Sequence, residues 1–169
     1  MTSRTAPPRR SPTVELPPFM EVLREHRDAV YRYLRVVAGP DADDCFQETF
    51  LAALRAYPRL RPESNLRAWV LTIAQRKALD AHRRRARAPL PVAEPPQERD
   101  AAGGSPPPGD PELWGHVRAL PPKQRAAVAH RFVCDLSYRE IGVVMGCTEE
   151  AARRSVHEAM RKLRRAVPA

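Results

Sequence analysis

An all-α fold made of two small helical modules is the expectation, and three observations carry it. Apolar residues recur at helical spacing through residues 19–88 and again through 112–167. Alanine, leucine and arginine dominate, while glycines number only seven and aromatics make up 6%, a composition that favours helix over sheet. Between the two, residues 89–111 read "PLPVAEPPQERDAAGGSPPPGDP", rich in proline, glycine and acid and almost without large apolar side chains. Such a stretch cannot offset the entropy of packing and is expected to be a flexible linker. Residues 1–18, with repeated prolines and no apolar run, are expected to be a disordered leader. Each module is small, so each core is expected to be marginal alone.

The first helix is predicted from Phe19, Val22, Leu23, Val30, Tyr33, Leu34 and Val37, and Gly39-Pro40 stops it. Asp41, Asp43 and Asp44 open the second helix, where acids suit the positive end of the dipole. Its apolar stripe is Phe46, Phe50, Leu54 and Tyr57, and Pro58 ends it. Ser64 or Asn65 caps a third helix whose apolar face is Leu66, Trp69, Val70 and Ile73. It runs out into a cluster of arginines, Arg83, Arg84, Arg85 and Arg87. Residues 61–88 hold eight basic and two acidic side chains, against six and seven in residues 19–60. The positive charge of module one therefore belongs to its third helix. Module two opens with a short helix around residues 113–119. Pro122 suits the first position of the next helix, which is expected to carry Val128, Phe132 and Val133 inward.

Bulk properties narrow the function. A net charge of +9 and a pI near 10.3 make a polyanion the first partner to consider. Three widely separated cysteines (Cys45, Cys134, Cys147) with no C-x-x-C pair fit a reducing compartment and buried thiols. His130 and Cys134 stand four apart, but two groups do not make a metal site, so no metal and no cofactor are expected. Neither a secretory signal nor an apolar run of membrane-spanning length is present, so a cytoplasmic protein without a membrane span is expected. Asp41, Asp43, Asp44 and Glu48 are the kind of carboxylate cluster that can hold Mg²⁺. There is no second cluster, no phosphate-binding glycine loop and no nucleophile triad beside them, so an enzyme is not expected.

The C-terminal stretch "LSYREIGVVMGCTEEAARRSVHEAMRKLRR" carries the strongest signal. Ser137 and Glu140 have capping-box spacing. Ile141, Val144 and Met145 are placed inward, Gly146 supplies a left-handed turn, and Thr148 caps the next helix. This is helix-turn-helix spacing. On the second helix Ala152, Val156, Ala159 and Leu163 share a stripe about 60° wide at 3.6 residues per turn. Arg153, Arg154, His157, Arg161 and Arg164 share a roughly opposite sector of about 100°. One side packs and the other presents cations, as a helix lying in a major groove requires. Glu149 and Glu150 suit the helix start, and a glutamate can also accept from cytosine N4.

Taken in order, "DADDCFQETF", "SNLRAWVLTIA" and "LSYREIG" resemble bacterial sigma factors: their second domain over residues 19–88 and their fourth over 112–167. Having only these two domains and a proline-rich linker is similar to the extracytoplasmic-function (ECF) group. The resemblance implies a subunit that directs RNA polymerase to promoters and helps open the −10 element. A sigma-like DNA-binding regulator that does not initiate transcription is the alternative. Asp44, Gln47, Glu48 and Phe50 would dock on the clamp helices of the polymerase core, and the fourth domain would meet its flap region. Glu63, Ser64, Asn65, Leu66 and Trp69, with Arg76 and Lys77, would open the −10 element and hold a flipped base, while Arg83, Arg84 and Arg85 neutralise phosphates. Ser137, Tyr138, Thr148, Glu150, Arg153, Arg154, His157 and Arg161 would read the −35 element. The acids of the linker (Glu94, Glu98, Asp100) would imitate nucleic acid near the polymerase active site. An anti-sigma protein is a further implied partner. The chain departs from the family's common pattern at "AARRSV" in the recognition helix, at Arg76 where an asparagine is common, and at His130 where a leucine is usual.

Overall fold

The structure, a computed structural model, describes residues 15–87 and 110–167. The leader through residue 14 and nearly all of the expected linker lie outside the described residues. Among the described residues there are seven α-helices: α1 (Phe19–Val37), α2 (Ala42–Ala56), α3 (Leu66–Arg87), α4 (Pro111–Ala119), α5 (Pro122–Val128), α6 (Tyr138–Met145) and α7 (Glu149–Ala166). No strand occurs among the described residues.

Module one is a three-helix bundle in which α1, α2 and α3 all touch one another. Gly39 takes φ +58° directly after α1, a conformation that suits glycine, and a short 3₁₀ turn leads into α2. Asn65 caps α3 by accepting the Ala68 N–H at 3.0 Å. The buried side of α3 is Ala68, Val70, Leu71, Ala74, Ala78 and Ala81, mostly alanine, so its neighbours approach closely. That leaves the expected face residues Leu66, Trp69 and Ile73 only half-buried. Leu54, expected inside, is 51% exposed. The sequence of α2 has apolar residues on two sides, and the bundle uses the side of Cys45, Phe50 and Ala53.

Pro17 and Pro18 also differ from the expectation of a disordered leader to residue 18. The Pro17 carbonyl accepts the Tyr57 hydroxyl, and the Pro18 carbonyl accepts the Glu21 N–H at 2.8 Å. In module two Asp110 caps α4 by accepting the Glu112 N–H at 2.9 Å. Helical order there begins at Pro111, one residue inside the stretch read as linker. A π-helical turn, Ala129–Val133, follows α5, and the Cys134 N–H reaches back to the Ala129 carbonyl at 3.1 Å. The wider turn rotates the chain. Phe132, expected inside, is 59% exposed, while His130 is fully buried.

The modules are not separate bodies on a tether. α3 packs on α6, and α1 packs on α4, α5 and the π turn, so one apolar core runs through both. Small cores that are marginal alone thereby become one larger core.

Candidate nucleic-acid interface

The helix-turn-helix is built on two glycines and two caps. Ser137 Oγ accepts the Glu140 N–H at 3.3 Å, and Glu140 Oε2 accepts the Ser137 N–H at 2.8 Å. The Ser137 N–H foremost, and then the Ser137 hydroxyl donating to the same carboxylate oxygen at 2.7 Å, hold the Glu140 carboxyl below the usual glutamate range. Gly146 closes α6 at φ +65°. Gly142 matters for a different reason: a Cβ there would sit 2.8 Å from the Cys147 carbonyl oxygen. The turn folds tightly onto α6 only because Gly142 lacks a side chain. Thr148 Oγ1 then accepts the Ala151 N–H at 3.2 Å and starts α7.

Along α7, Ala152, Ser155, Val156, Ala159 and Leu163 are buried, and Arg153, Arg154, His157, Arg161 and Arg164 are exposed. Arg153 is oriented before any ligand arrives. Glu149 Oε1 accepts from it at 2.9 Å, and its guanidinium lies 5.2 Å from the centre of the Tyr138 ring, which Arg131 approaches from 5.4 Å. Glu150 is exposed, and its carboxyl is held down by its own backbone N–H and by Thr148. Ser137, Thr148 and Glu150 are thus engaged in capping, with their outer surfaces open to solvent.

The second cationic surface is on α3. Trp69, Arg76 and Arg83 stand seven residues apart and share one stripe. Trp69 is half-buried against Tyr57, ring centres 6.1 Å apart, while Arg76 and Arg83 are exposed. Thr72, which sequence reasoning passed over, and Ile73, which it read as core-facing, are both half-buried beside the same stripe, because single-helix periodicity does not separate a partly exposed face from a core face. Glu63 is exposed in the loop before α3, and Ser64 closes a turn onto the Arg61 carbonyl at 3.0 Å. Among the described residues Arg83 pairs only within its own helix, with Asp80 at 3.7 Å, whereas Lys77, Arg84 and Arg85 reach off it. Lys77 and Arg84 pair with Glu48 at 3.3 and 3.7 Å, and Arg85 pairs with Asp41 at 2.6 Å. They tie α3 to Glu48 of α2 and to Asp41 just before it.

The outer face of α2 combines Asp44, Gln47, Leu51 and Leu54, all exposed, within a sector of about 80°. Leu51 and Leu54 are 53% and 51% exposed, an apolar pair on the bundle surface beside the acid of Asp44. Phe50 does not belong to it. It is 8% exposed and lies in the bundle core 5.0 Å from the Phe46 ring. Phe50, expected to dock with this face, instead turns into the bundle, about 40° round the helix from Leu54. The cysteines follow the expectation of buried thiols at two positions: burial pushes Cys45 up to about 11 and Cys134 up to about 12. His130 and Cys134 point to separate partners, Gln75 and the Ala29 carbonyl. Among the described residues no three His, Cys, Asp or Glu side chains gather as metal ligands.

Comparison with known proteins agrees with this architecture. The family model described as Sigma-70 region 2 matches residues 22–88, and that described as Sigma-70, region 4 matches residues 113–163. The ECF RNA polymerase sigma factor SigD of Mycobacterium tuberculosis is 34% identical over 157 residues, covering 85% of this chain and 74% of its own. The chain belongs to the ECF sigma factors of bacterial RNA polymerase. Sigma factor CarQ of Myxococcus xanthus is 33% identical, covering 86% of this chain and 87% of its own. The ECF sigma factor SigE of Mycolicibacterium smegmatis is 32% identical, and this chain spans 61% of that relative's length. The fold is shared with the sigma factor RpoE of Bartonella quintana, solved with the anti-sigma factor NepR. The TM-score is 0.71 at 22% identity, over 88% of this chain and 95% of that one. In this ECF sigma factor, α1–α3 make region 2 and α4–α7 make region 4.

Proposed function

We propose that this ECF sigma factor binds core RNA polymerase through the α2 face of Asp44, Gln47, Leu51 and Leu54, with Glu48 at its edge. In this reading it reads a −35 element with α7 and helps open a −10 element with the α3 loop and stripe. One observation carries the reading. The cationic helix-turn-helix and a second cationic helix beside an exposed acidic-apolar face occur in one chain, in the order regions 2 and 4 require. Arg153, Arg154, His157 and Arg161 meet the major groove, with Tyr138 steadying Arg153. On α3, Trp69 is a stacking platform for an unpaired base, and Arg76 and Arg83 hold the strand's phosphates.

The protein works by binding rather than by catalysis, in the cytoplasm where the polymerase acts. No helix among the described residues is long and apolar enough to cross a membrane. An anti-sigma protein is a further partner, since RpoE of Bartonella quintana was solved with one. Co-purification of the full chain with core polymerase is the direct test. A stoichiometric complex that Asp44→Lys weakens is the expected result. Failure of the wild-type chain to bind core overturns the proposal, and binding without promoter-directed transcription leaves a non-initiating regulator.

A further inference from the structure

Among the cations on the exposed face of α7, Arg153 has an acid as its neighbour. Glu149 Oε1 accepts from Arg153 Nη2 at 2.9 Å, and the two side chains are 43% and 62% exposed. Arg154, Arg161 and Arg164 make no such contact among the described residues. The cationic sector therefore holds two kinds of arginine, one paired and the others open.

Starting the helix does not account for this pair. An acid in a first turn suits the helix dipole, but α7 has that support without Glu149. Thr148 Oγ1 accepts the Ala151 N–H at 3.2 Å, and the Glu150 carboxyl is held by its own backbone N–H and by Thr148. Glu149 turns instead to the residue one turn on, which lies on the same side of the helix. That side is at the N-terminal end of α7, the part of a recognition helix that approaches base edges.

The contact uses one corner of the guanidinium. Arginine has five N–H groups in a fork. Glu149 takes from Nη2, while Nε and Nη1 have no acceptor among the described residues. The Tyr138 ring, 5.2 Å from the guanidinium carbon, fixes its direction without adding a formal charge. Arg153 thus has its charge offset by a neighbour, yet it keeps donors to give. Phosphates and bases answer to different parts of that. Backbone affinity follows charge and counterion release. A guanine edge is read by two directed donors, to O6 and N7.

We propose that Glu149 is a specificity-determining residue of α7: it offsets the charge of Arg153 toward the DNA backbone and leaves its donors free to read a base. The inference rests on reading α7 as the −35 helix. On unrelated duplex, Arg154 and Arg161 supply the attraction and Arg153 adds little. At a site that presents a guanine to Arg153, the extra bonds form with no matching gain elsewhere. The ratio of specific to non-specific binding, which decides whether a site is found among many competitors, rises without any further contact.

The test uses the full chain and a fluorescent duplex of unrelated sequence, titrated at several salt concentrations. Glu149→Gln keeps the size of the side chain and loses its charge. It is expected to bind that duplex about three- to tenfold more tightly at about 0.1 M salt, with a salt slope steeper by about one. Duplexes that the wild-type chain selects from a randomised pool are expected to gain less, so the specificity ratio falls. In an Arg153→Gln background the same change is expected to leave the slope as it was, because no masked cation remains. An unchanged slope in the single variant overturns the proposal. So does an equal change in both backgrounds, which would make Glu149 a plain repulsive charge. Urea unfolding separates a helix-start role: lost stability with unchanged DNA binding also overturns it. If the wild-type chain selects no sequence, the −35 reading fails, while the salt slopes still decide whether Glu149 masks Arg153.

Discussion

α7 and α3 are both long cationic helices, yet they carry their charge differently. On α7 the cations occupy one exposed sector opposite a narrow apolar stripe, and Arg153 is braced by Glu149 and Tyr138. On α3 the cations divide: Arg76 and Arg83 face outward with Trp69, while Lys77, Arg84 and Arg85 answer the acids of α2. A rigid, uniformly charged face suits a duplex of fixed shape. A mixed face beside an aromatic suits a single strand whose bases stack and whose backbone bends. Counting arginines does not distinguish the two, but their neighbours do.

The comparison can be broken most severely at Gly142. Adding a methyl there meets the backbone of the turn at 2.8 Å, so Gly142→Ala is expected to destabilise region 4 by about 2–3 kcal/mol. Urea unfolding should show that loss, and an unchanged midpoint would remove the close-approach argument.

Mild acid should act first on His130, buried where the two modules meet. Burial holds His130 down to about 3 from 6.5, so the folded chain resists the proton that the unfolded chain accepts. The stability this confers is full above about pH 6.5 and is lost as pH falls toward 3. Between pH 7 and 5 the loss is about 2 kcal/mol, read by denaturant unfolding. His130→Leu is expected to flatten that dependence, and an equal slope in the variant contradicts the assignment.

Arg153→Ala sharpens the contrast at the DNA. It is expected to cost about 1–3 kcal/mol at one −35 position and little elsewhere, measured by binding to a library of promoter variants. Arg83→Ala is expected to weaken binding more evenly and to lower the salt slope by about one. If both variants act alike, the two helices do not divide their work as described. Thr148→Ala is the smallest of these changes. It removes a cap bond and is expected to lower stability by about 1 kcal/mol, visible in thermal unfolding.

Much of this was legible in local sequence because local chemistry decides it. The Ser137–Glu140 box, the Thr148 cap and the two faces of α7 follow from spacing alone, and the structure holds each of them. Phe132 was misread because a π turn changes helical phase, and no residue type announces one. Phe50 is buried as the apolar stripe of α2 predicts, although the resemblance gave it a docking role; Leu54 was misread because α2 has apolar residues on two sides, and only the position of α1 and α3 decides which is buried. The seam through Tyr33, Gln75 and His130 joins residues far apart in the chain, beyond the reach of periodicity. His130 did stand out as a departure from the leucine common in the family, and the structure gives its Nε2 the Gln75 side chain and its ring the face of Tyr33.

The central claim is that the two surfaces serve one act, promoter recognition by polymerase. Its most direct test is transcription of fragmented genomic DNA from the source organism by purified core polymerase, with and without this chain, followed by sequencing of the 5′ ends. Discrete new start sites that share two upstream elements at a fixed spacing are the predicted result. No new starts and no binding to core would contradict the account and leave the helix-turn-helix without its polymerase.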